Sequence, residues 1–297
     1  MSEYPRDFFA DLEHQIVDAT TVDNRRRRRR VQRVGVPAVV AVGVAALVLA
    51  TLPSGGATNG ALVSVARAAE TTMPTWARLE LWQYSLDTSV DHTGAHSSGD
   101  YVLSTARRAG TRVMTSDQAV NGQAVATTDA DLAHTFQAIA DGQTASRNLP
   151  SSNQNQDQAY PELPVAVNAL PQTSAGFQKL IDAESYGSSC GEKAMHLAAD
   201  VLRVPGVAPA ARRAMIDALA GCPDLHIDRA ALDPLGRSGI GISVQGHGSG
   251  IETTTELIVD QGLVEPLSLI ERTDTSQTKL ALPAGTVLSA DVFRYDG

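Results

Sequence analysis

The stretch "SSCGEKAMHLAADVLRVPGVAPAARRAMIDALAGC", residues 188–222, decides the fold of this chain. The Pro205-Gly206 pair interrupts a helical pattern, and Pro209 suits the first turn of a second helix. Gly221 is a typical C-terminal stop for that second helix. Apolar side chains recur at helical spacing on both sides of the break: Ala194, Leu197, Ala198, Val201 and Leu202 before it, and Ala211, Met215, Ala218 and Leu219 after it. The pattern predicts an antiparallel hairpin of two helices of nearly equal length.

The only two cysteines of the chain, Cys190 and Cys222, lie at the open end of this predicted hairpin. Arms of equal length bring the start of the first helix beside the end of the second, and an oxidising compartment favours a disulfide between the two. Loop-closure estimates give such a bond about 3–4 kcal/mol of stabilisation. We therefore predict a Cys190–Cys222 disulfide, with two buried thiols as the alternative.

The sequence after the hairpin is rich in strand patterns. Five consecutive strands are predicted at "LHIDRAAL" (225–232), "GIGISVQG" (239–246), "ETTTELIVD" (252–260), "LVEPLSLIE" (263–271) and "TVLSADVFRYD" (286–296). Turn residues at His247-Gly248, at Gln261-Gly262 and in the Pro-Ala-Gly stretch at 283–285 separate the later strands. Consecutive strands joined by short turns favour an antiparallel sheet.

The sequence before the hairpin adds further strands and helices. "WARLELWQYSL" (76–86) is typical of a strand buried on both faces, "DYVLSTARRAGTRVMTS" (100–116) of a hairpin turning at Ala109-Gly110, and "GQAVATT" (122–128) of a short strand. "ALVSVARAAETT" (61–72) and "DADLAHTFQAIADG" (129–142) predict helices, and the polar segment 145–164 predicts a surface loop. The predicted fold class is α+β: an antiparallel sheet over residues 76–297 that carries the disulfide-linked helical hairpin.

Residues 34–52 form a 19-residue segment without one charged side chain. A helix of this length spans roughly 28 Å, close to the thickness of a bilayer's hydrocarbon core. A buried core helix is rarely uncharged all round, and a cleaved signal peptide would have an unusually long N-terminal region. We predict a transmembrane helix at 34–52, followed by a spacer and short helix at 53–75.

A run of arginines precedes this predicted span. It consists of Arg25, Arg26, Arg27, Arg28, Arg29, Arg30 and Arg33. Basic residues that flank a span stay in the cytoplasm, so we expect residues 1–33 inside and residues 53–297 outside. The alternative is a nucleic-acid-binding arm. It is disfavoured because the chain carries a net charge of -9 despite these arginines, which makes the part after the span strongly acidic.

The predicted cytoplasmic tail contains one amphipathic segment, "YPRDFFADLEHQIV" (4–17). Phe8, Phe9, Leu12 and Ile16 would share one side of a short helix. A helix this short is marginal alone in water, so its apolar side chains suggest docking to a cytoplasmic partner or to the membrane surface. The alternative is a frayed tail without a binding role.

Motifs that could carry chemistry are weak in this sequence. "HTGAH" places His92 and His96 four residues apart, but its glycine indicates a loop and no third metal ligand is evident. "GSSCG" (187–191) contains a cysteine that already has a predicted disulfide partner. "GIGISVQGHGSG" (239–250) lacks the lysine of a phosphate-binding loop, and no Gly-x-Ser-x-Gly motif is present. We expect no catalytic residue, no metal and no cofactor.

The order of these segments resembles a family of uncharacterised actinobacterial single-pass membrane proteins. The resemblance rests on "ALVSVARAAETT", "NALPQTSAGFQKLI", "AADVLRVPGVAPAARRAMIDALAGCPDLHI", "GRSGIGISVQ" and "ELIVDQGLVEPLSLIE", which together span most of residues 34–272. Members of that family look like neighbours or relatives of anti-sigma-type regulators. The outer domain is also loosely similar to lipoprotein-carrier and periplasmic sensor folds. The tail contains no cysteine and therefore lacks the zinc motif of zinc-binding anti-sigma proteins.

This resemblance implies transmembrane signalling. We expect a single-pass cell-membrane protein with a sensory or regulatory outer domain, and with a tail that contacts a cytoplasmic regulator or a sigma factor. The alternative is a membrane-tethered carrier whose sheet holds a lipid or another envelope ligand. Nucleic acid is not an expected partner.

Overall fold

The structure is a computed structural model that describes ten stretches of the chain. They are residues 59–71, 77–91, 94–109, 112–143, 147–148, 163–184, 187–248, 251–262, 264–277 and 280–296. All of them belong to the unit Thr58–Gly297. The predicted tail at 1–33 and the predicted span at 34–52 lie outside the described residues. Among the helices that are described, none is long and apolar enough to cross a membrane.

Nine strands form one antiparallel sheet in the described residues. They are β1 Arg78–Asp91, β2 Gly94–Ala109, β3 Arg112–Gln123, β4 Arg147–Asn148, β5 His226–Leu232, β6 Ser238–Gly248, β7 Ile251–Val259, β8 Pro266–Thr273 and β9 Val287–Asp296. Their order across the sheet is β4-β3-β2-β1-β9-β8-β7-β6-β5. Each strand pairs with a sequence neighbour except at the centre, where β1 pairs with β9. This one long-range pairing joins the strands before the helical hairpin to the strands after it.

Five α-helices and one 3₁₀ helix accompany the sheet in the described residues. They are α1 Asn59–Thr71, α2 Asp129–Ala140, α3 Ser174–Ala183, α4 Cys190–Arg203 and α5 Pro209–Ala220, with the 3₁₀ helix at Val167–Ala169. Side chains that cap backbone N–H groups explain three of the helix starts. The hydroxyls of Thr128, Thr173 and Ser189 accept hydrogen bonds from the first turns of α2, α3 and α4. The α+β class, the antiparallel sheet and the helical hairpin are confirmed.

The hairpin α4–α5 forms the centre of the larger hydrophobic core. α4 contacts β6, β7 and β8, while α5 contacts α1 and α3. Apolar side chains of the helices and the sheet meet in one cluster that includes Leu62, Val65, Phe177, Met195, Val201, Leu219, Ile240, Ile242, Leu257 and Leu269. Sequence reasoning grouped α1 with the spacer at 53–75, whereas its packing joins it to the core of the domain.

A second cluster lies on the opposite face of the sheet, where it includes Trp82 and Tyr84 of β1. Trp82 and Tyr84 alternate with Leu79 and Leu81 along the strand, and all four side chains are buried, as expected for a strand covered on both faces. The ring centroid of Trp82 lies 5.2 Å from that of Phe136, so helix α2 covers this face. Its N-terminal residue Asp129 forms an ion pair with Arg272 of β8.

Three local predictions are wrong. The segment 122–128 is not a separate strand, because β3 runs through to Gln123 and irregular backbone follows it. The hairpin between β6 and β7 does not turn at His247-Gly248, because Gly248 still pairs with Ile251. His96 lies on β2 opposite Ser89 and not in a loop. In the last two cases pairing with a neighbouring strand overrides the local turn signal.

Candidate functional site

The predicted disulfide is present at the open end of the helical hairpin. Cys190 and Cys222 are bonded, with their Cα atoms 5.5 Å apart. The carboxylate of Asp224 accepts a hydrogen bond of 3.1 Å from the backbone N–H of Gly191, in the first turn of α4. Cys190, Cys222 and Asp224 have the types of atom that bind a metal, all within 4.8 Å of one another. Both sulfurs are engaged in the disulfide, so this group serves structure in the oxidised protein.

The other predicted site residues divide into two groups. The seven arginines at 25–30 and 33, and the docking candidates Phe8, Phe9, Leu12 and Ile16, lie outside the described residues, as does His92. The glycine-rich segment that begins at Gly239 forms strand β6. Among the predicted site residues that the structure describes, apart from the two cysteines, no two come together to form a binding or catalytic site.

A cluster of buried and partly buried ionisable side chains lies where the helical hairpin meets the sheet. We call this cluster the hairpin–sheet junction and define it by Arg203 at the end of α4, Arg212 on α5, Glu265 just before β8, and Tyr295 on β9. Sequence reasoning missed it. One signal was present: Arg212 precedes the apolar residues Met215, Ile216 and Leu219 by three, four and seven positions, which is the spacing of a buried helix face.

Arg212 links three parts of the domain. Its side chain is fully buried, with 0% exposed surface. Nη1 donates a hydrogen bond of 3.0 Å to the carbonyl of Leu202 in α4, and Nη2 donates one of 2.8 Å to the carbonyl of Val264 between β7 and β8. Burial lowers the pKa of Arg212 to about 10, so the guanidinium remains a cation at neutral pH.

The turn between β7 and β8 is strained where Arg212 contacts it. Val264 has a φ of 55°, a left-handed conformation that is unusual for a β-branched residue. Its N–H donates to the carbonyl of Asp260 at 3.1 Å, and the N–H of Asp260 donates to the carbonyl of Glu265 at 2.9 Å. Such a conformation costs about 1–3 kcal/mol and persists only where surrounding contacts hold it. Here the contacts are the hydrogen bond from Arg212 and the burial of the Val264 side chain.

Glu265 follows this strained residue and is itself buried, with 7% of its surface exposed. Burial raises the pKa of the Glu265 carboxyl to about 7, and the charge of Asp260 acts in the same direction. The positive charge of Arg212 opposes the shift without cancelling it. Glu265 therefore changes its ionisation state near neutral pH.

Tyr295 completes the junction from the sheet. Its hydroxyl donates a hydrogen bond of 2.9 Å to the carbonyl of Pro266, the residue after Glu265. Burial raises the pKa of Tyr295 well above its usual value, and the Glu265 carboxyl adds to the shift. Tyr295 is therefore a neutral hydrogen-bond donor at physiological pH.

Two further arginines lie around Tyr295. Arg203 lies over the ring of Phe293, 5.2 Å from its centroid, and pairs with Asp200 at 2.8 Å. Arg237 pairs with Asp233 and donates a hydrogen bond of 3.0 Å to the carbonyl of Leu267. Arg212, Arg237 and Tyr295 all donate hydrogen bonds to backbone carbonyls. Arg212 and Tyr295 therefore hold α4, α5, β9 and the β7–β8 turn together around Glu265, the residue that ionises near neutral pH.

Comparison with known proteins adds no family assignment. No protein-family description matches the chain, and no curated protein is significantly similar to it. The resemblance to single-pass actinobacterial proteins therefore stays a prediction.

Proposed function

We propose that this protein is a membrane-anchored extracytoplasmic sensor or regulator. Residues 34–52 cross the cell membrane once, residues 1–33 lie in the cytoplasm, and the α+β domain lies outside. The domain detects a condition of the cell envelope, and the tail passes it to a cytoplasmic regulator such as a sigma factor. The proposal assigns the protein no catalytic step.

The observation that carries this proposal is the Cys190–Cys222 disulfide. Disulfides persist in oxidising compartments and are rare in the cytosol. An oxidised domain and an arginine run next to an uncharged segment support the same orientation, with the domain outside and the arginines inside.

The position of α1 supports communication between the domain and the membrane. Six residues, 53–58, separate the end of the predicted span from Asn59, where α1 begins. Six residues reach about 20 Å when fully extended. α1 packs against α5, the helix that contains Arg212. A change at the hairpin–sheet junction can therefore reach the predicted span through two helices that pack together, α5 and then α1.

The second candidate is a tethered carrier of lipid or another envelope ligand. A carrier of acyl chains needs an apolar surface that the ligand can reach. Within the described residues the one large hydrophobic side chain that is exposed is Leu232, with 61% exposed surface, at the end of the edge strand β5. Helices cover the sheet side chains of the two larger hydrophobic clusters, and the apolar side chains of the two smaller clusters are buried as well. These observations favour the sensor, and a lipid found by native mass spectrometry of the full chain would favour the carrier.

A pull-down from detergent-solubilised membranes tests the proposed function. We expect the full-length chain to recover a sigma factor or another cytoplasmic regulator that is then shown to bind in purified form. Replacement of Phe8 and Phe9 by serine removes the apolar side of the tail and should abolish recovery. The matched control, Asp11→Asn with Glu13→Gln, changes the polar side and should retain it. An empty pull-down, or recovery unaffected by the phenylalanine substitutions, contradicts the proposal.

A further inference from the structure

We propose that the hairpin–sheet junction is a proton-responsive switch, in which protonated Glu265 keeps the helical hairpin closed on the sheet and ionised Glu265 opens it. The switch is a property of the domain, while its use as the signal rests on the proposed function. The physical condition sensed would then be the pH outside the membrane.

The geometry places Glu265 in the turn between β7 and β8, which accepts a hydrogen bond from Arg212 of α5. The preceding residue, Val264, is strained and accepts the hydrogen bond of 2.8 Å from Arg212. The following residue, Pro266, accepts the hydrogen bond of 2.9 Å from Tyr295. A displacement of Glu265 toward water therefore loosens the contacts of both neighbours. Strain at Val264 favours this displacement once the contacts weaken.

Charged groups face Glu265 from each element packed around it. Arg212 of α5 and Asp260 just after β7 act on Glu265 directly, and Tyr295 of β9 interacts with it as well. Arg203 of α4 and Arg237 before β6 act on Tyr295, and each of these two arginines pairs with a carboxylate, Asp200 and Asp233 respectively. Arg212 attracts the ionised form of Glu265, but the loss of hydration outweighs this attraction. Ionisation of Glu265 is therefore unfavourable while the junction stays closed.

The direction of the response follows from the two ionisation states. In the closed junction the pKa of Glu265 is about 7, and exposure to water returns it to its usual value near 4.5. Below pH 4.5 Glu265 is protonated in both forms, so a change in pH no longer alters the balance between them and the junction stays closed. Between these values the open form releases the proton first, so rising pH favours opening by up to about 300-fold, with no further gain above pH 7. Acidification therefore closes the junction.

Hydrogen exchange of the full-length chain in detergent micelles tests this switch. The reporters are the backbone amides of Val264 and Asp260, whose hydrogen bonds close the turn, together with α5. We expect their protection, corrected for the intrinsic pH dependence of exchange, to fall tenfold or more between pH 5 and pH 8. The variant Glu265→Gln cannot ionise and should show no such fall. The matched control Glu252→Gln alters an exposed glutamate of β7 and should behave as the wild type.

Each outcome of the exchange experiment is decisive. Protection of the turn that is independent of pH in the wild-type chain overturns the proposal, even if Glu265→Gln fails to fold. A pH dependence that persists in Glu265→Gln assigns the effect to another group and also overturns it. The measurement uses no cytoplasmic partner. A flat profile therefore leaves the membrane-anchored regulator standing with a different trigger, and an empty pull-down leaves the switch standing.

Discussion

At the scale of single residues, Arg212 and Arg213 are neighbours of the same residue type whose structural roles differ, because Arg212 is buried and Arg213 is exposed. The side chain of Arg213 is 44% exposed and pairs with Asp217 one helical turn away at 3.3 Å. Arg212 is buried and donates to two carbonyls of different elements. Exposed ion pairs contribute about 0–1 kcal/mol, whereas hydrogen bonds from a buried charged group contribute about 1.5–3 kcal/mol each.

We therefore expect Arg212→Ala to lower the free energy of unfolding by about 3 kcal/mol or more, because two buried carbonyls lose their donors. Arg212→Lys should recover only part of this loss, since one ammonium group does not replace a planar guanidinium that reaches both carbonyls. Arg213→Ala is the matched control and should cost about 0.5 kcal/mol. Urea denaturation of the full-length chain, followed by circular dichroism, measures all three. Equal costs for the two alanine variants would contradict the buried role of Arg212.

At the scale of elements, a disulfide closes one end of the helical hairpin. Hydrophobic packing and the hydrogen bond from Arg212 to Val264 hold the hairpin to the sheet. Cys190 and Cys222 are separated by 32 positions. A bond across such a loop stabilises the fold mainly by restricting the unfolded chain. The packed faces of α4 and α5 do not depend on it, because their buried side chains lie along the full length of both helices.

We expect the double variant Cys190→Ser/Cys222→Ser to fold with the same helix content, and to lose about 3–4 kcal/mol of stability. Reduction of the wild-type chain should give a similar loss, and the reductant should leave the variant unchanged. Denaturation curves recorded with and without reductant make the comparison. Stability that does not respond to reduction in the wild-type chain would show that the bond adds nothing to the fold.

At the scale of the whole molecule, the proposed topology rests on the sequence at 25–52, which lies outside the described residues. We expect protease added to intact spheroplasts to digest residues 53–297 and to spare residues 1–33. This expectation follows from the positive-inside effect, by which basic residues next to a membrane span stay in the cytoplasm. Immunodetection of tags at the two ends measures this, and detergent lysis is the control that exposes both. An outer domain that resists protease until lysis would reverse the proposed orientation.

The sequence by itself determined the helical hairpin, the pairing of its two cysteines and the antiparallel character of the sheet. These features depend on local periodicity, turn residues and the equal lengths of two neighbouring helices, which short segments encode without reference to the rest of the chain. The local errors occurred where a strand continues through a turn signal, as β6 does at His247-Gly248.

Only the tertiary structure decided that β1 pairs with β9, that α1 belongs to the core, and that Arg212, Glu265 and Tyr295 meet at one junction. Arg212 donates a hydrogen bond to the carbonyl of a residue 52 positions along the chain. The sequence around Arg212 gives no indication of so distant a partner. The ionisation of Glu265 depends equally on distant segments, because their packing removes water from it. A short sequence encodes the shape of a helix or strand, whereas the dielectric surroundings of a side chain exist only after distant segments have packed together.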